Sequence, residues 1–122
     1  MKLTSLYKDI ILEAVSRNQI ISAINNRNVC TIYYEGDTIN NPGYREIEPY
    51  VYGLSKRENP VIRAYQLGGK SDTPENMPGW RLFRADRMVD FVNSGDIFEE
   101  PKPLYNPNGD RDMTRIYTQA KF

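Results

Sequence analysis

Val29-Cys30-Thr31-Ile32-Tyr33-Tyr34 is dense in β-branched and aromatic residues and reads as a β-strand. Glu35-Gly36-Asp37 turns the chain after it, and Asn40-Asn41-Pro42-Gly43 extends the loop. A second strand region follows from Tyr44 to Leu54. It contains Pro49, which lacks an N–H and predicts an edge position or a bulge. After a charged turn over Ser55 to Asn59, Pro60 to Leu67 is a third strand. Gly68 to Gly79 is a polar loop. Trp80 to Val92 is a fourth strand region, or a strand with a bend.

Outside this run the pattern changes. Ser5 suits a helix N-cap, and Leu6, Ile10, Ile11 and Ala14 recur at helical spacing, so residues 4–15 read as a helix. Ile20, Ile21 and Ile24 stripe a second short helix over 18–26. These stripes suit packing on the rest of the domain, or a contact between copies of the chain. At the other end, Pro101, Pro103 and Pro107 mark an extended arm. Asp110 could cap a last short helix carrying Met113, Ile116 and Tyr117. The expected organisation is a helical segment over 1–28, a β-domain over 29–100 and a Pro-rich arm with a short helix over 101–122. The class is α+β with a small antiparallel sheet.

Composition narrows the function. Sixteen basic and sixteen acidic residues cancel, which argues against coating nucleic acid or membrane by bulk charge. No apolar run approaches the ~20 residues of a membrane span. The single cysteine, Cys30, reads as a small apolar core residue and rules out an internal disulfide. Met1 to Lys8 lacks the apolar core of a secretion signal, so a cytoplasmic setting is expected. The chain has no histidine, which removes histidine acid–base chemistry and histidine metal sites. Neither phosphate-binding glycine motif occurs, and no cofactor or metal is expected. Asp86 and Glu48 could serve as catalytic carboxylates, yet each suits an arginine partner better. A non-enzymatic chain is the expectation.

The arginines and tyrosines carry the positive signal. Arg63 and Tyr65 share one strand face by alternation. Arg81 and Arg87 share the face of Phe83 and Ala85, and Arg84 lies opposite. Guanidinium groups bind phosphates in bidentate fashion, and aromatic neighbours add stacking surface for bases. Glu46, Glu48, Asp86 and Asp90 are close enough in sequence to pair with these arginines instead. Trp80 reads as a core anchor, and Tyr33 and Tyr34 should divide between core and surface.

Val29 to Phe91 resembles the WYL domain family, small Sm-like/SH3-like β-barrels of bacterial and phage regulators. The resemblance rests on Ile32-Tyr33-Tyr34, on Arg45-x-Ile47-Glu48-Pro49-Tyr50 and on Phe83-Arg84-Ala85-Asp86-Arg87-Met88, with Val61-Ile62-Arg63-Ala64-Tyr65 where the name-giving strand falls. The Trp-Tyr-Leu tripeptide itself is absent, with Pro60-Val61-Ile62 near its place, and the residues before the first strand lack a recognition helix. The resemblance implies N-terminal helices on a closed barrel, and a nucleotide or short nucleic acid as ligand. By position it implies a site at Tyr33, Arg45, Tyr50, Arg63, Arg84 and Arg87, to which the strand reading adds Tyr65. It further implies a stand-alone phage-type protein. Two other readings stand beside this one. One is a phage protein that sequesters a host signalling nucleotide without cleaving it. The other is an interaction module docking through its C-terminal arm on a larger host or phage complex. The helices or the arm could also join copies of the chain in a homo-oligomer.

Overall fold

The computed structural model describes residues 17–37 and 40–122. The helix expected over 4–15 lies outside the described residues. Residues 17–25 are helical and are followed by β1 (Asn28–Gly36), β2 (Asn40–Ser55), β3 (Pro60–Gly69), β4 (Gly79–Arg84), β5 (Met88–Ile97) and β6 (Met113–Gln119). Single 3-10 turns occupy Pro74–Asn76 and Ala85–Arg87. All pairings are antiparallel. The sheet runs β4-β3-β2-β1-β5, and β6 adds to β2.

β2 organises the sheet. Its first half pairs with β1 as far as Ile47 opposite Cys30, and its second half pairs with β6 from Val51 opposite Gln119. Pro49 falls in the gap between these partners, where no ladder donor is needed. On the other side, Pro49 faces Ala64 while Val51 faces Arg63, so the register slips at Tyr50 as a bulge would. Everything from Ile47 to Gly53 is buried: β3 runs along one side of this stretch, and β1 and β6 flank the other at either end of the gap. Gly53 lies under β6, and a Cβ there would meet the Arg115 carbonyl oxygen, so no larger residue fits without moving backbone.

The apolar face of the helical stretch closes the core. Ile20, Ala23 and Ile24 are fully buried in one cluster with Cys30, Ile32, Tyr34, Ile47, Ile62 and Phe83. The alternation in β1 resolves as expected: Tyr34 is buried, while Tyr33 is half-buried on the outer face, edge-on to Tyr44 at 4.9 Å. Burial pushes the Cys30 thiol up to about 12, which leaves it protonated and inert.

The expected architecture is corrected on three counts. First, the sheet is open, not a closed Sm-like/SH3-like barrel. β4 and β5 both run antiparallel to neighbours that are themselves parallel, so the two share one direction. A parallel pair needs a crossover of about a dozen residues, and only the 3-10 turn Ala85–Arg87 joins them. They therefore follow end to end and remain the two margins of the sheet. Second, of the two N-terminal helices expected, the described residues hold one, over 17–25, where 18–26 was read; the other lies outside them. Third, the C-terminal helix is absent: Met113–Gln119 is a strand. The spacing of Met113, Ile116 and Tyr117 suited a helix. However, Thr114, Ile116, Tyr117 and Thr118 favour the pleated conformation, and the free side of β2 offers them a ladder.

A candidate ligand cleft between the sheet and the C-terminal arm

The outer face of β3 and β4 carries Arg63 opposite Leu82 and Tyr65 opposite Trp80. Alternation puts these four side chains on one side, with Ile62, Ala64 and Phe83 in the core on the other. The arm between β5 and β6 crosses this outer face and is fastened at both ends. At its start Lys102 Nζ meets both Glu48 oxygens, at 2.8 and 3.0 Å, and the Lys102 amide donates to the Tyr50 hydroxyl at 3.0 Å. That hydroxyl in turn donates to Glu48 at 2.8 Å. Trp80 Nε1 donates to the Pro103 carbonyl at 2.8 Å, and the Tyr105 hydroxyl donates to Ala120 O at 2.7 Å. At its end Arg63 takes Asp110 in a bidentate grip, at 2.7 and 3.1 Å, and Asp112 at 2.6 Å.

Between these fastenings the arm and the sheet enclose a cleft of about 330 Å³. Val51 and Arg63 form its floor, Trp80 and Tyr105 its aromatic wall, and Asn106, Asp110 and Arg111 its polar side. The Trp80 and Tyr105 rings lie nearly parallel, 18° apart with centroids 6.3 Å from each other. Leu104, 94% exposed, and Arg111 stand at the rim and leave the mouth open. The charges of the cleft balance. Burial alone would raise the Asp110 carboxyl, but the Arg63 hydrogen bond and the Asp112 amide outweigh it and hold the group below its ordinary value. Burial would likewise lower Arg63, and its two carboxylate partners reverse that and raise it.

The seven residues expected at a ligand site do not gather there. Arg63 is in the cleft, with Tyr65 beside it under Lys102, whose Nζ lies 5.3 Å from the ring centre. Tyr50 is buried beneath them, its ring 4.8 Å from both Trp80 and Tyr105. Burial pushes its hydroxyl well above the ordinary tyrosine range. Arg45 and Arg87 serve the β1–β2 turn instead. Arg45, 3% exposed, donates to the carbonyls of Tyr34, Gly43 and Asn41 and sits 5.0 Å from the Tyr34 ring centre. Arg87 donates to the carbonyls of Gly36 and Asp37. Arg84 pairs with Asp86 on the surface, and Tyr33 lies on the outer face of β1. Sequence reading missed Tyr105, Asn106 and Arg111 and assigned Trp80 and Asp110 to other roles. The only hints were Tyr105 among the prolines of the arm and the Asp110-Arg111-Asp112 run. Arg81 stands apart from the cleft and holds the loop before β4 through Ser71 and the Thr73 and Asn76 carbonyls. Among the described residues no cluster of histidine, cysteine and carboxylates could hold a metal ion, and no helix is long and apolar enough to cross a membrane.

No protein-family model matches the chain, and no curated protein matches it in sequence. Its structure is similar to that of the proteasome accessory factor B/C (PafBC) of Arthrobacter aurescens, with a TM-score of 0.59 at 16% identity. The likeness covers 74% of this chain and 13% of that protein, so the chain matches a small part of its length. At this identity the likeness shows a shared fold over the matched part of the chain.

Proposed function

We propose that this chain is a non-enzymatic, regulatory binding module of the cytoplasm that holds a nucleotide or a short single-stranded nucleic acid in the cleft beneath its C-terminal arm. One observation carries the reading: two guanidinium groups, Arg63 and Arg111, share a cleft with the nearly parallel rings of Trp80 and Tyr105. Such rings offer a base a flat apolar surface, worth ~1–3 kcal/mol per base, and guanidinium groups suit phosphate oxygens. The resemblance to the WYL family is consistent with this role and does not specify the ligand. The site residues of the proposal are Arg63, Trp80, Tyr105, Asn106 and Arg111, with Tyr65 supporting Trp80 edge-on at 5.4 Å.

The open rim at Leu104 and Arg111 favours a ligand that exchanges over one sequestered in a closed chamber. Calorimetric titration with cyclic and linear dinucleotides and with octathymidylate tests the reading. Binding tighter than about millimolar, lost in Trp80→Ala and weakened in Arg111→Ala, is the expected result. No heat of binding from any of these, with the fold intact, would sink it.

A further inference from the structure

The cleft is locally neutral as it stands. Arg63, its part-buried cation, is consumed by Asp110 and Asp112, and Arg111 lies 3.9 Å from Asp112. Both acids belong to a single turn of the arm, in which the Asp112 amide donates to the Asp110 carboxylate at 2.9 Å and the Met113 amide to its carbonyl. A bidentate carboxylate on a guanidinium has the geometry that a phosphate would take in the same place. We infer that the Asp110-Arg111-Asp112 turn is an internal anion mimic: it occupies Arg63, and an incoming phosphate must displace it.

This deepens the ligand reading above and rests on the same cleft, giving the arm a part in signalling. The two faces of the latch differ in strength. Asp110 is 8% exposed at its side chain and takes two hydrogen bonds from Arg63, while Asp112 is 44% exposed and takes one. Asp112 is thus the half that yields first. Once Arg63 changes partner, the turn is held by the arm's remaining ties. Nearest the turn is Gln119, whose Nε2 donates to Asn106 O at 2.6 Å and whose Oε1 accepts from the Gly109 amide at 3.0 Å. The glutamine sits on β6, so release would reach the strand paired with the central β2. An occupied cleft would thereby present an altered arm to a partner.

Hydrogen exchange of the full chain tests the latch with inorganic pyrophosphate as the anion, against sodium chloride of equal ionic strength. The Gly109 and Asp112 amides should exchange faster with pyrophosphate. In Asp112→Asn the midpoint should fall about fivefold, the scale of one partly exposed ion pair. Asp96→Asn on β5 removes the same charge at the other margin of the sheet and should leave the midpoint within about twofold. Exchange at Gly109 and Asp112 that is unchanged or slowed by pyrophosphate overturns the latch, as does an equal response in Asp112→Asn and Asp96→Asn. Blank nucleotide titrations with pyrophosphate still opening the turn would remove the nucleotide reading and leave the latch standing.

Discussion

Two arginines, Arg45 at the β1–β2 connection and Arg63 under the arm, illustrate opposite solutions to burying a guanidinium. Arg45 is 3% exposed and makes no ion pair among the described residues; three backbone carbonyls of the β1–β2 connection take its protons. Burial lowers its proton affinity and outweighs the opposing pull of Asp72, Tyr34 and Asp37, with none of which it forms an ion pair. Arg63 lies on the floor of an open cleft and is held by two carboxylates some fifty residues away in sequence. Carbonyls that shape a turn cannot leave without unmaking the strands that carry them. Carboxylates on an arm can be replaced by another anion. The first arrangement therefore builds the sheet, and the second can do work on a ligand.

The largest test of this contrast is Arg45→Met. Three carbonyls would lose charge-assisted donors in a buried setting, so the variant should lose about 3 kcal/mol or more of stability in urea. A loss under about 1 kcal/mol would show that water replaces the guanidinium easily and that the turn does not depend on it. Next in size is Glu48→Gln, which leaves Lys102 without its carboxylate beside the buried Tyr50. Roughly 2 kcal/mol should be lost, with faster hydrogen exchange along 102–106. Unchanged exchange there would mean that the aromatic packing of Tyr50, Trp80 and Tyr105 fastens the arm by itself.

Asp110 makes a prediction in pH. Its folded proton affinity lies below its ordinary value of 3.8, so its contribution is complete above that value. It is lost as pH falls through the lower, folded value. Asp110→Asn should thus be less stable than the parent at pH 7, by roughly 1–2 kcal/mol for a charged hydrogen-bonded partner. The gap should close under acid conditions. A gap that persists at pH 2 would assign the loss to the turn geometry instead of the charge. The smallest effect belongs to Arg84→Ala. Arg84 is joined to Asp86 at 2.6 Å, but the two side chains are 34% and 48% exposed, and the change should stay under about 0.5 kcal/mol. A larger loss would make the Ala85–Arg87 corner depend on that pair and would place Arg84 with Arg45.

Local chemistry made the strand regions legible. β1, β3 and the bend between β4 and β5 follow from runs of β-branched and aromatic residues broken by Gly, Pro and charge. Cys30 in the core and the split of Tyr33 from Tyr34 follow from alternation. Those features are set within a few residues of chain, where side-chain shape meets backbone preference directly. The cleft was only partly legible. Arg63 and Tyr65 share a face because they stand two positions apart on one strand, with Ala64 between them. Tyr105, Asn106 and Arg111 reach that face from forty residues further along, on an arm with no periodicity of its own.

The chain by itself therefore determined which segments between Val29 and Val92 are extended and which side chains alternate inward. Tertiary structure alone decided what each arginine holds, whether the sheet closes, and that Met113–Gln119 is a strand. The reason is the range of the forces. Backbone preference acts locally, while a guanidinium takes whichever acceptor the fold brings within about 3 Å, and a segment of mixed pattern takes whichever sheet edge is left unpaired.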